Sequence, residues 1–572
     1  MILPCTLTEI ERLGWDAPDV ILVSGDAYID SPYSGVAVVG RVLTAAGYRV
    51  AILSQPGTAS HDDIRRLGQP RLFWGVTSGC VDSMVANYTA TGKRRQQDDF
   101  TPGGKNTARP DRAVIAYCNL IRAAFKPCKP IVIGGIEASL RRIAHYDFWS
   151  DTVRRPLLFD AKADILVYGM AEHTITALAH RLRDSRDWRD LRGLCHALPA
   201  TSDALPSDAL TLPDFSTVAA PTDAGRAAFL EMFRCFAANQ EPRTARPLVQ
   251  RVDTRCLVQN PPSLPLTPAE LDAVYALPFT LDPHPSLEAK GNIRALDTIR
   301  FSLTTHRGCY GECNFCAIAM HQGRRVTSRS ENSIIDEARR MTRHPKFNGI
   351  IQDVGGPTAN MYGFDCARKV KQGACPDKRC LFPNCCPALA PDHAPQLALL
   401  KKLRHLPGVR KVFVASGIRP DLVSADIRTG ARYIDELAAH HVSGQLKLAP
   451  EHVEPHVLAA MGKPHGDALL CFKKEFDKAN RKYNLKQFLT YYFIAAHPGC
   501  TDDDMRSLKR FACSHLHLSP EQVQIFTPTP STWSTAMYYT GMNPFTDTPI
   551  HVTRGLRGKQ DQKDLLTPPP PR

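Results

Sequence analysis

The reading of this chain turns on "RGCYGECNFCAI", residues 307–318, where Cys309, Cys313 and Cys316 stand at spacing C-x3-C-x2-C. Clustered thiolates favour zinc or an iron–sulfur centre. A structural zinc site needs four ligands. No second C-x2-C lies close by, although His306 and His321 flank the triplet. Gly308 and Gly311 allow the loop to curl so that three thiols converge. A cubane iron–sulfur cluster held by three cysteines keeps one iron open, so the missing ligand becomes the working position. The run before the triplet, IRFSLTT (299–305), reads as a strand, and barrel folds keep their chemistry at the carboxyl ends of strands.

Further strand-like runs follow at 349–354, 411–416, 444–449, 487–495 and 522–526. Helical patterns separate them, at 333–344, 421–441 and 467–484. About six β/α units predict a partial barrel over 296–545, short of the eight that close a full one. Upstream, DVILVS (19–24), RVAIL (49–53), RLFWGVTS (71–78), KPIVIGGIEAS (129–139) and ADILVYGMAE (163–172) alternate with helical stretches. That order predicts an α/β domain over 1–195 with a doubly wound parallel sheet. Gly25-Asp26, Gly134-Gly135 and Gly169 fall at strand ends, where such sheets place ligands. Residues 196–295 are rich in Pro, Ala, Ser and Asp and read as a connector. Residues 546–572 read as a disordered basic and Pro-rich tail.

A second cysteine group, "DCARKVKQGACPDKRCLFPNCCPAL" (365–389), interrupts the barrel pattern as an insertion over 357–391. Cys366, Cys375, Cys380 and Cys386 would serve as four ligands of an auxiliary iron–sulfur or zinc site, with Cys385 spare. The spacings match no common zinc pattern, so the residues leave that choice open.

Composition narrows the class. Hydrophobic residues at 43% and charged residues at 22% describe a globular chain of two or three domains. No apolar run approaches the ~20 residues of a membrane span, and the N-terminus lacks a signal-peptide pattern. A cytoplasmic location follows as the expectation, and 18 cysteines there read as spread among cores, metal sites and redox chemistry more than as disulfides. The net charge of +14 permits a nucleic-acid partner without demanding one. The basic loop at 91–112 reads as a solvated surface.

"CYGECNFC", with Phe315 just before the last cysteine, resembles the signature of radical S-adenosylmethionine (SAM) enzymes. The resemblance implies that Cys309, Cys313 and Cys316 bind a [4Fe–4S] cluster whose open iron chelates SAM. Such enzymes cleave SAM reductively to methionine and a 5′-deoxyadenosyl radical. It further implies that Gly355 and Gly356 in "QDVGGPTANMYG" and Glu451 in "LKLAPEH", with Lys447 beside it, are SAM contacts. "FIAAHPGCTDDDM" (493–505) is similar to the segment that flanks adenine, and the Pro-rich 526–541 to the end of the sixth strand. Residues 24–43, 69–90, 131–151 and 257–272 extend the match, and the chain resembles the YgiQ family of radical SAM proteins over nearly all of 10–545.

Many radical SAM enzymes carry a cobalamin-binding domain at this position, and the strand ends resemble one. Its D-x-H-x-x-G hallmark would fall on "DSPYSG" (30–35), where Pro32 replaces the cobalt-ligating histidine. Cobalamin would then bind without a lower ligand, or the shell would hold a substrate or partner instead. A methylthiotransferase would need an N-terminal domain of another kind and usually an RNA-binding end. The expectation is therefore a radical SAM enzyme served by a reductase or flavodoxin-type electron donor. The residues do not choose its substrate or the outcome of hydrogen abstraction. The competing readings are a cobalamin-dependent radical SAM methyltransferase and a non-catalytic metal-cluster protein that binds RNA.

Overall fold

The computed structural model describes residues 2–567 and divides into two units. The first is Met1–Pro265 with Ala273–Arg300, and the second is Leu266–Asp272 with Phe301–Arg572.

The first unit is built on a nine-stranded sheet. Its parallel half comprises β1 (Val20–Ser24), β2 (Val50–Ser54), β3 (Phe73–Thr77), β4 (Ile131–Ile133) and, beyond a small hairpin β5–β6 (His145–Asp147 with Thr152–Arg154), β7 (Ile165–Val167). Strand order runs β2-β1-β3-β4-β7 with all five parallel, so the order in which strands are added reverses between β1 and β3. Every residue of β1 and β2 is buried. Parallel strands covered on both faces read as unbroken apolar runs, which is why the sequence exposed them.

The expected connector is a correction. β8 (Leu194–Pro199), β9 (Leu210–Leu212), β10 (Leu248–Val252) and β11 (Arg255–Gln259) extend the same sheet in the order β8-β11-β10-β9. The helix Asp223–Ala238 lies among them and buries Phe229, Leu230, Met232, Phe233 and Phe236. The Pro, Ser and Asp residues are the turns between short elements, and they masked three- to six-residue strands.

In the second unit β12 (Ser302–Thr304), the interrupted pair β15 (Ile350–Ile351) and β16 (Asp353–Gly355), β17 (Lys411–Val412), β18 (Gln445–Glu451), β19 (Phe488–Ala495) and β20 (Val523–Ile525) form six parallel positions of a partial barrel. An Ile418–Leu448 bridge carries the ladder from the third position to the fourth. Along β19, Leu489, Tyr491, Phe493 and Ala495 are buried while Thr490, Tyr492 and Ile494 are half-buried on the other face. The Tyr491 hydroxyl feels Asp477 on the helix Ala468–Lys482, so the buried row is the helix-facing one. The other row faces the concave side. The tail is also corrected: Leu556–Leu566 is a helix that buries Lys559, Gln562 and Leu566. Lys559 lies over the Tyr538 ring and Gln562 accepts from the Ala496 amide, tertiary partners that composition could not reveal. Residues 568–572 of the expected tail lie outside the described residues.

Candidate functional site

The cysteine loop hangs from a two-residue antiparallel ladder between β13 (His306–Arg307) and β14 (Thr327–Ser328). Gly308 turns the chain at φ +84°, and a Cβ there would sit 1.9 Å from the Arg325 carbonyl oxygen. The Gly308 amide donates to Gln322 Oε1 at 3.1 Å. Asn314, between the second and third cysteines, is buried and stitched to the barrel. Its amide donates to Met461 O and its Nδ2 to Ala460 O, both at 2.8 Å, while its Oδ1 accepts from Arg379 Nη1 at 2.8 Å.

The thiols point to one region. Cys309 Sγ and Cys313 Sγ lie 3.3 and 3.5 Å from the point a Cβ on Gly311 would occupy. Burial and the neighbouring Cys313 and Cys309 push the Cys316 thiol up to about 12. Burial and Cys313 likewise push Cys309 up, opposed by Arg419 and by the Gly311 amide. Cys309 and Cys316, held neutral by burial and by their neighbouring thiols, form with Cys313 a site that a cationic iron core would relieve. Tetrahedral zinc at 2.3 Å bonds would need sulfurs about 3.8 Å apart. Among the described residues no three such ligand atoms of these cysteines lie within 4.8 Å of one another. The donor set fits an iron–sulfur cluster better than a zinc ion.

Around the thiols stand residues that no local motif marks. Arg419 Nη1 donates to Cys313 Sγ at 3.6 Å, and Thr358 Oγ1 lies 3.8 Å from Cys309 Sγ. Arg419 is paired with Asp421 through Nε and Nη2. Both follow β17, at the same end of the barrel as the triplet. Only the rule that strand ends carry chemistry could have singled them out.

Gly355 ends β16, and its carbonyl accepts from the Thr305 amide at 2.7 Å and from Thr305 Oγ1 at 3.0 Å. Gly356 follows, and a Cβ there would sit 2.7 Å from the His306 ring. His306 is fully buried with its pKa lowered to about 3 by burial, so it is neutral. Its Nδ1 pairs with Thr305 Oγ1 at 2.8 Å. Glu451 sits at a register shift of β18 with φ +67°, which aims its half-buried side chain off the strand. Its Oε1 accepts from Lys463 Nζ at 3.3 Å. Its charge also raises the Cys316 thiol, which places it on the cluster side. Lys447 is exposed two positions from Gln445, on the concave row.

In the insertion, Cys366, Cys380 and Cys385 pack in one apolar cluster with Tyr310 and Cys309. The Cys386 amide donates to Cys380 O at 2.8 Å, and Lys369 Nζ donates to Cys380 Sγ at 3.4 Å. Burial pushes the Cys385 thiol up to about 11, with Asp421, Cys386 and Cys380 adding to it. The fold therefore draws Cys380, Cys385 and Cys386 together, with Cys385 no longer spare, whereas Cys375 lies half-buried in the loop between them and Cys366.

The reversal point of the first unit's sheet is filled by protein. Arg109, fully buried, pairs with Asp26 at 2.6 Å and Asp98 at 2.9 Å and donates to Ser78 O at 2.8 Å. The Cys80 amide donates to Asp26 Oδ2 at 2.6 Å, and a Cβ on Gly25 would sit 2.2 Å from Ser78 O. Asp30, the hallmark aspartate, is buried in a pair with Arg41. With Pro32 in the histidine's place, this segment offers cobalt no imidazole ligand.

Comparison with known proteins agrees with the architecture. The family described as "Radical SAM N-terminal" matches residues 2–302, "Radical SAM superfamily" matches 303–512, and a "Domain of unknown function (DUF3362)" matches 521–568. A UPF0313 protein of Fusobacterium nucleatum is 53% identical over 566 residues, 99% of this chain and 98% of that one. One from Methanocella arvoryzae is 48% identical over 98% of this chain and 92% of its own length. One from Thermotoga maritima is 45% identical over 99% and 98%. Among solved structures, the cobalamin-dependent S-adenosylmethionine radical enzyme OxsB aligns at a TM-score of 0.50 and 11% identity, covering 93% of this chain and 57% of that one. The radical SAM methyltransferase TsrM from Kitasatospora setae aligns at 0.48 and 15%, covering 91% and 77%. At 11% identity the OxsB likeness concerns the fold alone. The chain belongs to the UPF0313 family of radical SAM proteins.

Proposed function

We propose that this chain is a radical SAM enzyme of the YgiQ type in which Cys309, Cys313 and Cys316 hold a [4Fe–4S] cluster. The observation that carries the reading is the convergence of Cys309, Cys313 and Cys316 at the carboxyl end of the first barrel strand. When bound, such a cluster supplies an open iron for SAM and the electron that cleaves it. The chain's own residues hold and orient. Gly356 brings backbone close to the neutral His306, and Glu451 offers a carboxylate to the SAM ribose, with Lys447 on the same strand. Gly355 contributes through its position, since Thr305 already occupies its carbonyl. The helix-packed barrel wall shields the site from bulk water, which suppresses side reactions of a radical.

The insertion holds a second centre, supported by the gathering of Cys380, Cys385 and Cys386 against the triplet loop. Cys366, buried in the same cluster, is the fourth candidate, ahead of Cys375. A reductase or flavodoxin-type protein delivers electrons, and the enzyme works in the cytoplasm. Among the described residues no helix is long and apolar enough to cross a membrane. Cobalamin is not part of this reading, because Pro32 stands where the hallmark histidine would ligate cobalt.

The test is anaerobic reconstitution with iron and sulfide, followed by SAM and a strong reductant, with 5′-deoxyadenosine assayed by mass. Formation by the parent and its loss in Cys316→Ala is the expected result. Zinc in place of iron, or an RNA affinity that collapses with salt in a chain inert toward SAM, would overturn it.

A further inference from the structure

The guanidinium of Arg419 lies between the cysteine triplet and a carboxylate, and its backbone is held from every side. The Arg419 amide donates to Asn360 Oδ1 at 2.9 Å, and Asn360 Nδ2 donates back to the Arg419 carbonyl at 3.0 Å. Asn360 is fully buried, and His393, itself bonded to Asp426, stands 3.2 Å from its Nδ2. The preceding Ile418 amide donates to Lys447 O at 3.1 Å. The side chain is buried to 10% exposure. Asp421 takes Nε at 3.1 Å and Nη2 at 2.6 Å, a fork-to-fork pair that fixes the plane of the guanidinium. That pairing leaves Nη1 to reach Cys313 Sγ at 3.6 Å. Gly311 makes room for it, because a Cβ there would sit 2.7 Å from Nη1.

We propose that Arg419 sets the reduction potential of the cluster held by the triplet, with Asp421 as the counter-charge that trims its effect. The inference rests on the reading of Cys309, Cys313 and Cys316 as cluster ligands. Taking up an electron makes the cluster more negative. A buried cation hydrogen-bonded to one of its sulfurs stabilises the reduced form more than the oxidised one, and it does so without solvent screening. Lysine could not substitute fully, since one ammonium cannot hold a two-point pair with Asp421 and also present a donor in a fixed direction to the sulfur. Arg419 is thus a positioning residue: it touches a ligand of the cluster, not the reacting atoms of SAM.

The two charges give the proposal a signature that a merely structural role lacks. Arg419→Gln removes the cation, so the cluster becomes harder to reduce and its midpoint moves to more negative potential. Asp421→Asn leaves the cation uncompensated, so the midpoint moves the other way. Arg419→Lys falls between Arg419→Gln and the parent. The expected size is about tenfold in the reduction equilibrium for Arg419→Gln, which for a one-electron couple is about 59 mV.

The measurement is an anaerobic potentiometric titration of the reconstituted full chain, followed by electron paramagnetic resonance of the reduced cluster. Shifts of opposite sign for Arg419→Gln and Asp421→Asn support the proposal. Should Arg419→Gln fail to retain iron, Asp421→Asn and Arg419→Lys still carry the test through the direction of their shifts. Midpoints that match the parent in variants with full iron content overturn it, as do shifts of the same sign. A parent that assembles no iron–sulfur signal at all instead refutes the ligand assignment on which the proposal rests.

Discussion

Gly308→Ala should empty the cluster site, and the reason can be worked from two glycines of one loop. At Gly308 φ is +84°, and a Cβ would lie 1.9 Å from the Arg325 carbonyl oxygen and 2.8 Å from its carbon. Gly323, in the same loop, has φ +94°, but nothing lies within 4 Å of the Cβ position. Both substitutions place a side chain at positive φ, which costs roughly 1–3 kcal/mol at either position. Only Gly308→Ala adds an overlap with main chain. Backbone cannot rotate away as a side chain can, so the Arg325 segment leading into β14 must move by about 1 Å to restore contact distance, at roughly 1–3 kcal/mol more. A site built to about 0.5 Å does not survive that displacement. The assay is iron and sulfide per chain after anaerobic reconstitution, with thermal unfolding measured alongside. Gly323→Ala should keep most of its iron and lose a few degrees of Tm at most, while Gly308→Ala loses the iron. Equal iron contents in the two variants would refute the claim that the β13–β14 ladder is the rigid frame of the cysteine loop.

Three further outcomes follow from the same structure. Glu451→Gln should weaken SAM binding about tenfold, the scale of one hydrogen bond to a charged group, with iron content unchanged; calorimetry that finds the parent's affinity would remove Glu451 from the site. Arg109→Met should cost the first unit about 3–5 kcal/mol, because Asp26 and Asp98 stay buried without their cation, and a denaturant titration showing a loss below 1 kcal/mol would contradict it. His306 and His497 are buried neutral with pKa values near 3. The unfolded chain therefore takes up protons below about 6.5 that the native state refuses, and stability falls as pH drops from there toward 3. The slope is about 1.4 kcal/mol per pH unit for each histidine, so unfolding midpoints that stay flat between pH 6.5 and 4.5 would show that these rings are not held neutral.

Much of the molecule was legible in one dimension because its signals are local. Strands buried on both faces must be apolar throughout, so β1, β2, β3, β4 and β7 announce themselves, and the six barrel positions do the same with turns between. Three thiols that converge on one cluster need a short loop, so C-x3-C-x2-C and its glycines appear as a contiguous motif. The strands at 194–259 and the helix Leu556–Leu566 escaped notice because short elements draw their stability from tertiary partners, and their composition is that of their turns. The site divides in the same way. The cysteines, the glycine pair after the second strand and the barrel end that carries them can be read along the chain. Packing in three dimensions sets Arg419 and Asp421 against Cys313, brings Cys385 to Cys380 and Cys386, and fills the reversal point of the first sheet with Arg109. Charge pairs act through space over a few ångströms, and chain spacing carries no record of which strand end will supply the partner.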